Sequence, residues 1–157
     1  MGRHRGFDEQ AVTAAAAALF AGRAYDGVSV DDLVQHLGVH RNSLYKTFGS
    51  KRGLYLAALL WHLEHQLPPL ADQLAAGAEV VDNRALDLLL LAAVERAPAD
   101  VEVAALVAKA WQTLDQALQR APAAPAGGPR ATALSVLLGE RLRARAAVAS
   151  AATTDPA

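Results

Sequence analysis

The fold of this chain is indicated most clearly by one stretch, Ser29-Val-Asp-Asp-Leu-Val-Gln-His-Leu-Gly-Val-His-Arg-Asn-Ser-Leu-Tyr-Lys-Thr-Phe-Gly-Ser-Lys51. It predicts two short helices joined by a tight turn. The first begins at Ser29, a favourable N-cap, and ends at Gly38, which can adopt the left-handed conformation that closes a helix. The second runs from about His40 to Phe48. Such a pair is a helix-turn-helix, whose second helix enters the major groove of DNA.

The second helix has one face suited to reading bases. Placing Leu44 and Phe48 inward, one helical turn apart, leaves the opposite face to polar side chains. Arg41 can bridge the two acceptors of guanine, and Asn42 can pair with adenine. The predicted DNA-contacting residues of this helix are Arg41, Asn42, Ser43, Tyr45 and Lys46. One alternative is left open, in which Tyr45 is a half-buried core aromatic.

Basic residues beside this unit extend the predicted surface. Lys51 and Arg52 stand at the start of a fourth helix, where cations oppose the helix dipole unless an anion is bound. They are therefore predicted to form a phosphate clamp, and the alternative is that both are simply solvated. Ser29, together with Arg3 and Arg5 in the N-terminal arm, completes the predicted DNA-binding set.

The segment Leu-Tyr-Lys-Thr-Phe-Gly-Ser-Lys, from Leu44 to Lys51, resembles the TetR family of transcriptional regulators. The resemblance extends upstream to Phe7 and covers roughly the first 65 residues. It implies DNA contacts at Arg41, Asn42, Tyr45, Lys46 and Lys51. The sequence departs from the family at His40, where many members carry Ser or Thr. We therefore expect a weaker N-cap on the second helix of the helix-turn-helix, which is the third helix of the chain.

The resemblance also implies how such a regulator works. We expect a homodimer that binds a pseudo-palindromic double-stranded DNA operator, represses transcription and releases DNA when a small molecule occupies its C-terminal bundle. The family's last helix, which shares in the dimer interface, is expected to be absent. The helices near residues 100–120 and 131–149 would then supply the dimer contact.

Composition predicts an all-α protein. The chain has 157 residues, enough for one or two small units, and 53% of them are hydrophobic while only 5% are aromatic. Such an Ala- and Leu-rich sequence favours closely packed helices. We predict a helix-turn-helix DNA-binding domain over residues 1–48, and helix 4 with a ligand-binding and dimerisation bundle over residues 49–157. The Pro- and Gly-rich segment at about 121–129 is predicted to be a mobile linker.

Within the second unit, proline and capping residues predict where helices begin and end. Helix 4 is expected from Ser50 to about Gln66, ended by Pro68 and Pro69. A short helix is predicted over 70–76, one buried apolar helix over 84–97, an Asp100-capped helix to about 120, and a final helix over 131–149. Along the Asp100-capped helix the predicted apolar stripe is Ala104, Val107, Trp111, Leu114 and Leu118.

Charge and motifs narrow the possible functions. The net charge is −1, but residues 1–65 hold seven basic against six acidic residues, and four of the basic ones lie between Arg41 and Arg52. The absence of cysteine excludes disulfides and thiol catalysis. No catalytic triad or phosphate-binding glycine loop is present, so we expect no enzyme and no cofactor. The longest apolar stretch, 88–94, is too short to span a membrane, so a cytoplasmic protein is expected.

A ligand pocket is predicted in the C-terminal bundle beside Trp61, His65, Asp87 and Trp111. The large rings among many alanines leave room for a small, mostly apolar effector, and a polar group among apolar neighbours is a common feature of a pocket. The alternative is that the polar residues there, which include Glu95 and Arg96, face solvent. His62 and His65 stand one turn apart, but no third metal ligand is evident.

A rival function is a helical interaction protein that keeps the fold, no longer binds DNA and acts on another regulator. The near-neutral charge of residues 1–65 slightly favours this hypothesis. The intact Arg41, Tyr45, Lys46 and Lys51 argue against it.

Overall fold

The computed structural model describes residues 7–78, 84–122 and 131–152. Every regular element in these ranges is helical, which confirms the predicted all-α fold. The α-helices are α1 (Glu9–Gly22), α2 (Val30–Leu37), α3 (Arg41–Phe48), α4 (Lys51–His65), α5 (Leu67–Ala75), α6 (Asp87–Leu91), α7 (Val101–Arg120) and α8 (Ala131–Ala152). Among the described residues, no helix is both long and apolar enough to cross a bilayer.

Side-chain caps begin most of the helices that position the candidate site. Asp8 accepts from two backbone N–H groups at the start of α1, and Asp100 does the same for α7. Ser29 forms a reciprocal capping box with the third residue of α2, while Ser50 caps α4. His40 makes no side-chain hydrogen bond at the start of α3, which confirms the weak cap predicted there. Each oxygen acceptor satisfies N–H groups that the first helical turn leaves without partners.

Two predicted segments differ from the structure. Pro68 and Pro69 lie in the first turn of α5, where a missing N–H costs nothing, so α5 begins earlier than the predicted 70–76. The helix predicted over 84–97 is present as a continuous helical run over 84–96, but it is not a regular α-helix. It divides into a 3₁₀ turn (Arg84–Leu86), the short α6 and a π turn (Ala92–Arg96), in which the N–H of Ala97 donates to the carbonyl of Ala92 at 2.9 Å.

One apolar core runs from the N-terminal helices into the rest of the chain. Its fully buried large side chains are Phe20, Val28, Leu33, Leu44, Leu54, Leu59, Leu86, Leu88, Leu89, Val103 and Leu114. The rings of Phe20 and Tyr55 meet edge to face with centroids 5.0 Å apart, so α1 packs directly against α4. Because the core is continuous, the position of α3 is set by its packing on α4.

The buried face of α7 is rotated from the predicted one. In α7 the buried residues are Val103, Val107, Ala110, Leu114 and Ala117, so Trp111 is half-buried at the edge of the stripe. In α8, Leu134 is buried but Leu142 is half exposed. Most of the predicted linker, residues 123–129, lies outside the described residues, as do Arg3 and Arg5.

Candidate DNA-binding surface

Helix α3 presents a polar face to solvent because one side chain anchors it. Leu44 is completely buried, and Phe48 one turn later is half-buried and stacks on Phe7 with centroids 6.3 Å apart. The exposed residues of α3 are Arg41, Asn42, Tyr45, Lys46 and Thr47, while Ser43 is half-buried. Tyr45 is 38% exposed, so it is partly covered and also reaches solvent on this face. The predicted base-reading residues therefore lie together on one accessible face.

Two glycines hold α3 between its neighbours. Gly38 has φ 64° and ends α2, and Gly49 has φ 74° and ends α3. Other residues rarely adopt such positive φ values, so both turns depend on glycine. They hold the short α3 at a fixed angle to α2 and α4, which an eight-residue helix could not maintain alone.

A third glycine, which the sequence did not single out, brings α3 against the start of α4. A Cβ atom on Gly53 would lie 3.1 Å from the carbonyl carbon of Phe48 and well under 3.0 Å from its oxygen. Since a backbone carbonyl cannot rotate away, any side chain at this position has to push α3 and α4 apart. No motif signalled this contact, because it depends on how the two helices cross.

Arg41 is paired within the helix-turn-helix itself. Its Nη2 donates to Asp31 of α2, and the side chains are 49% and 84% exposed respectively. The hydrogen bond to Asp31 and its charge raise the pKa of Arg41. An ion pair as exposed as this one contributes little to stability, so a guanine could take the place of Asp31 at small cost.

The predicted clamp of Lys51 and Arg52 is only half available. Arg52 donates to both carboxylate oxygens of Asp100 at 2.7 and 2.9 Å, and also to Glu102. The prediction that Arg52 binds phosphate is therefore wrong, because its guanidinium joins the start of α4 to the start of α7. The Arg52 guanidinium holds the pKa of Asp100 at about 2, and the Asp100 side chain is only 4% exposed.

Lys51 lies over the ring of Tyr25, with Nζ 4.1 Å from the ring centroid. Partial burial lowers the pKa of Lys51. The ammonium group is therefore held at a defined place between α3 and the connection from α1 to α2. Ser29 is also exposed on this side of the unit, but its hydroxyl is engaged with Asp32 in the capping box, at 2.6 and 3.0 Å.

The π turn contacts the connection that carries Tyr25. Glu95 accepts a hydrogen bond from the backbone N–H of Tyr25 at 3.1 Å, and the Arg96 guanidinium lies 4.4 Å from the Tyr25 ring centroid. Arg96 also lies 3.7 Å from Asp100. Glu95 and Arg96 are both half-buried and are engaged with this connection. They join the helix-turn-helix to the rest of the chain, and the wide π turn is what displays both at once.

The predicted pocket residues do not come together as a set. Trp61 and Asp87 line a cleft of about 900 Å³ between α1, α4, the segment 84–87 and α8. His65 stacks on Trp61 with centroids 4.8 Å apart but does not line this cleft, and neither does Trp111. Asp87 is paired with Arg141 and Arg145 of α8.

The two histidines of α4 have separate structural partners. The Nε2 atom of His62 is 2.6 Å from the carbonyl oxygen of Ala85, and the Nδ1 atom of His65 is 2.9 Å from that of Trp61. Within the part of the chain that the structure describes, no group of three metal-ligating side chains occurs.

Comparison with known proteins agrees with this geometry. Residues 12–58 match the family described as bacterial regulatory proteins, tetR family. The chain is 40% identical over 80 residues to the uncharacterized HTH-type transcriptional regulator YezE of Bacillus subtilis (strain 168), which is 51% of this chain and 41% of that protein. It is 40% identical over 71 residues to the HTH-type transcriptional repressor BdcR of Escherichia coli (strain K12), 45% of this chain and 36% of that protein.

The chain thus matches about two fifths of the length of these relatives. No solved structure matches it. The family match over residues 12–58 takes in most of α1, the helix-turn-helix and the first half of α4.

Proposed function

Because the chain belongs to the TetR family of bacterial regulatory proteins, we propose that it is a sequence-specific DNA-binding regulator of transcription. The observation that carries the proposal is the exposed face of α3, on which Arg41, Asn42, Tyr45 and Lys46 stand over the buried Leu44. Arg41 and Asn42 are suited to bidentate contacts with guanine and adenine. Lys51, at the start of the next helix, would bind the phosphate backbone.

We assign DNA binding to residues 1–48 and dimerisation to residues 49–157, while the proposed effector cleft takes one wall from α1 and the rest from the second unit. One eight-residue helix reads too few bases for useful specificity, so two heads related by a two-fold axis would read a pseudo-palindromic operator. Repression is favoured because the relative BdcR is named a repressor. The cleft beside Trp61 supports release by a small-molecule effector. Such a regulator would act in the cytoplasm, where bacterial DNA lies.

The proposal is tested by a gel shift with the DNA upstream of the chain's own gene, followed by footprinting. We expect two protected inverted half-sites and a dimer by light scattering. A variant with Asn42→Ala and Lys46→Ala should lose the shift, since both residues are exposed and their removal leaves the core intact. The control Arg143→Ala, on the exposed side of α8, should bind as the wild type does.

A monomer that protects one asymmetric site would contradict the dimeric reading. Failure of the wild type to shift any fragment of this DNA, or of a random genomic selection, would favour the rival interaction protein instead.

A further inference from the structure

The cleft between α1, α4, the segment 84–87 and α8 has two kinds of wall. Its α1 side is made of small residues and its opposite side carries arginines. The lining residues of the α1 side are Ala14, Ala17, Ala18, Ala21 and Gly22. Trp61 supplies an aromatic surface, and one face of its indole is covered by His65. At about 900 Å³ the cleft is in the size range of small-molecule sites.

The charged groups of this cleft are mostly positive. Arg141 and Arg145 line it and share its carboxylate, Asp87, so that guanidinium groups outnumber carboxylates among the lining residues that the structure describes; Arg84 also lines it and has a further interaction of its own. His62 also lines the cleft, and its burial lowers its pKa, which favours the neutral form. An excess of cations in a partly enclosed site favours an anionic ligand over a neutral one.

Arg145 has donors to spare in this cleft. Both of its contacts use one nitrogen, Nη1, which donates to the carbonyl oxygen of Ala21 at 2.9 Å and lies 3.1 Å from Asp87. Its Nε and Nη2 atoms donate no hydrogen bond to any residue that the structure describes. These two atoms form the fork with which an arginine binds a carboxylate, as Arg141 does with Asp87 at 2.7 and 2.6 Å. The Arg145 side chain is 26% exposed, so a ligand can reach it.

We propose that this cleft binds a small organic carboxylate with a flat apolar body. The carboxylate would pair with the Nε and Nη2 atoms of Arg145, and the body would lie between Trp61 and the alanines of α1. This ligand differs from the mostly apolar effector predicted beside Trp61 and Trp111, and Trp111 does not line the cleft. The small residues of α1 leave the width that a planar ring system requires.

Occupancy of the cleft would act on the DNA-binding head directly. Arg145 is bonded to Ala21 in the last turn of α1, and α1 packs on α4 through Phe20 and Tyr55. A carboxylate that draws Arg145 away would weaken the bond to Ala21 and change how α8 holds α1. This regulatory part rests on the proposed function, whereas binding itself does not. Linkage requires that operator DNA change the ligand affinity by the same factor.

Binding is tested by isothermal titration calorimetry of the full chain with 1-naphthoate and with its neutral analogue 1-naphthylmethanol. We expect the carboxylate to bind at least tenfold more tightly than the alcohol. The Arg145→Gln variant should lose that preference. The matched variant Arg143→Gln, which removes the same charge from the exposed side of α8, should keep it.

A second variant avoids the ion pairs altogether. Ala18→Leu adds volume to the wall of the cleft at an exposed position of α1, so it should block both probes while leaving the thermal unfolding temperature unchanged. The indole N–H signal of Trp61, assigned with a Trp111→Phe variant, should shift on binding. Equal affinity for the two probes, equal loss in both arginine variants, or undiminished binding in Ala18→Leu would overturn the proposal.

The gel shift separates this inference from the proposed function. An operator complex that forms normally, in a protein that does not bind 1-naphthoate at millimolar concentration, would overturn the carboxylate site and leave DNA binding intact. Tight 1-naphthoate binding in a protein that binds no DNA would support the site and refute its regulatory part.

Discussion

Replacing Gly53 with alanine tests whether the contact between α3 and α4 controls both stability and DNA binding. A Cβ at this position would overlap the Phe48 carbonyl oxygen, so the backbone has to shift. Overpacking of this kind costs about 1–3 kcal/mol. Alanine recovers at most about 1 kcal/mol of helix propensity, and less in a first turn. We therefore expect a net loss of about 1–2 kcal/mol in the free energy of unfolding, the balance of these two effects.

The matched control is Gly139→Ala, at a helical position of α8 where nothing lies within 4 Å of an added Cβ. It has the propensity gain without the clash, so it should stabilise the protein by about 0.5–1 kcal/mol. Urea unfolding of the two variants measures the difference. Gly53→Ala should also bind operator DNA more weakly at 20 °C, where both variants are folded, because α3 moves relative to Lys51. If Gly53→Ala kept the stability and the operator affinity of the wild type, the close contact between α3 and α4 would not control either property.

Further expectations concern four single side chains. Lys51→Ala should weaken binding to all DNA sequences alike and lower the slope of log affinity against log salt concentration by about one, and Lys109→Ala on α7 is its control. Arg41→Ala should relax the preference at one base pair at a cost of about 1–3 kcal/mol, whereas a salt dependence unchanged in Lys51→Ala would exclude Lys51 from the interface. Because the pKa of Asp100 is about 2 in the folded protein against an ordinary 3.8, the stabilisation by its carboxylate is present above pH 3.8 and is lost as the pH falls toward 2. Asp100→Asn should therefore reduce the loss of stability in this pH range, measured by urea unfolding, and an identical loss in the variant would contradict the assignment. Burial lowers the pKa of His62 below 6.5, so the unfolded chain binds the proton first and the stability of the fold falls as the pH drops below 6.5. His62→Gln should remove part of the difference in urea midpoint between pH 7.5 and 5.5. An unchanged difference would contradict this role of His62.

The joint at Tyr25 gives these contacts a common consequence. Lys51, Glu95 and Arg96 all contact Tyr25. Arg52 and Asp100 join the starts of α4 and α7 close by. The head is therefore tied to the rest of the chain by polar contacts that a rearrangement can break, in addition to the apolar contact of α1 with α4. A change in the C-terminal helices would reach Lys51 through this joint.

Local sequence rules are enough to predict the helix-turn-helix and the face of α3 that is exposed to solvent. Caps such as Ser29 and Asp100, and the left-handed turn at Gly38, act on N–H and carbonyl groups within a few residues, so local rules find them. The alternation of Leu44 with polar residues likewise depends only on helical geometry.

The partners of the charged side chains and the position of the cleft become visible only in the folded protein. Arg52 finds Asp100 at a separation of 48 residues, Glu95 finds Tyr25 at 70, and Arg141 finds Asp87 at 54. The apolar segment 84–97 was recognisable as buried helix, but the π turn within it was not. Gly53 likewise reads as an ordinary glycine until α3 crosses α4. The physical reason is that a cap is fixed by backbone geometry within one turn, whereas an ion pair, a close crossing or a cleft depends on how distant helices pack.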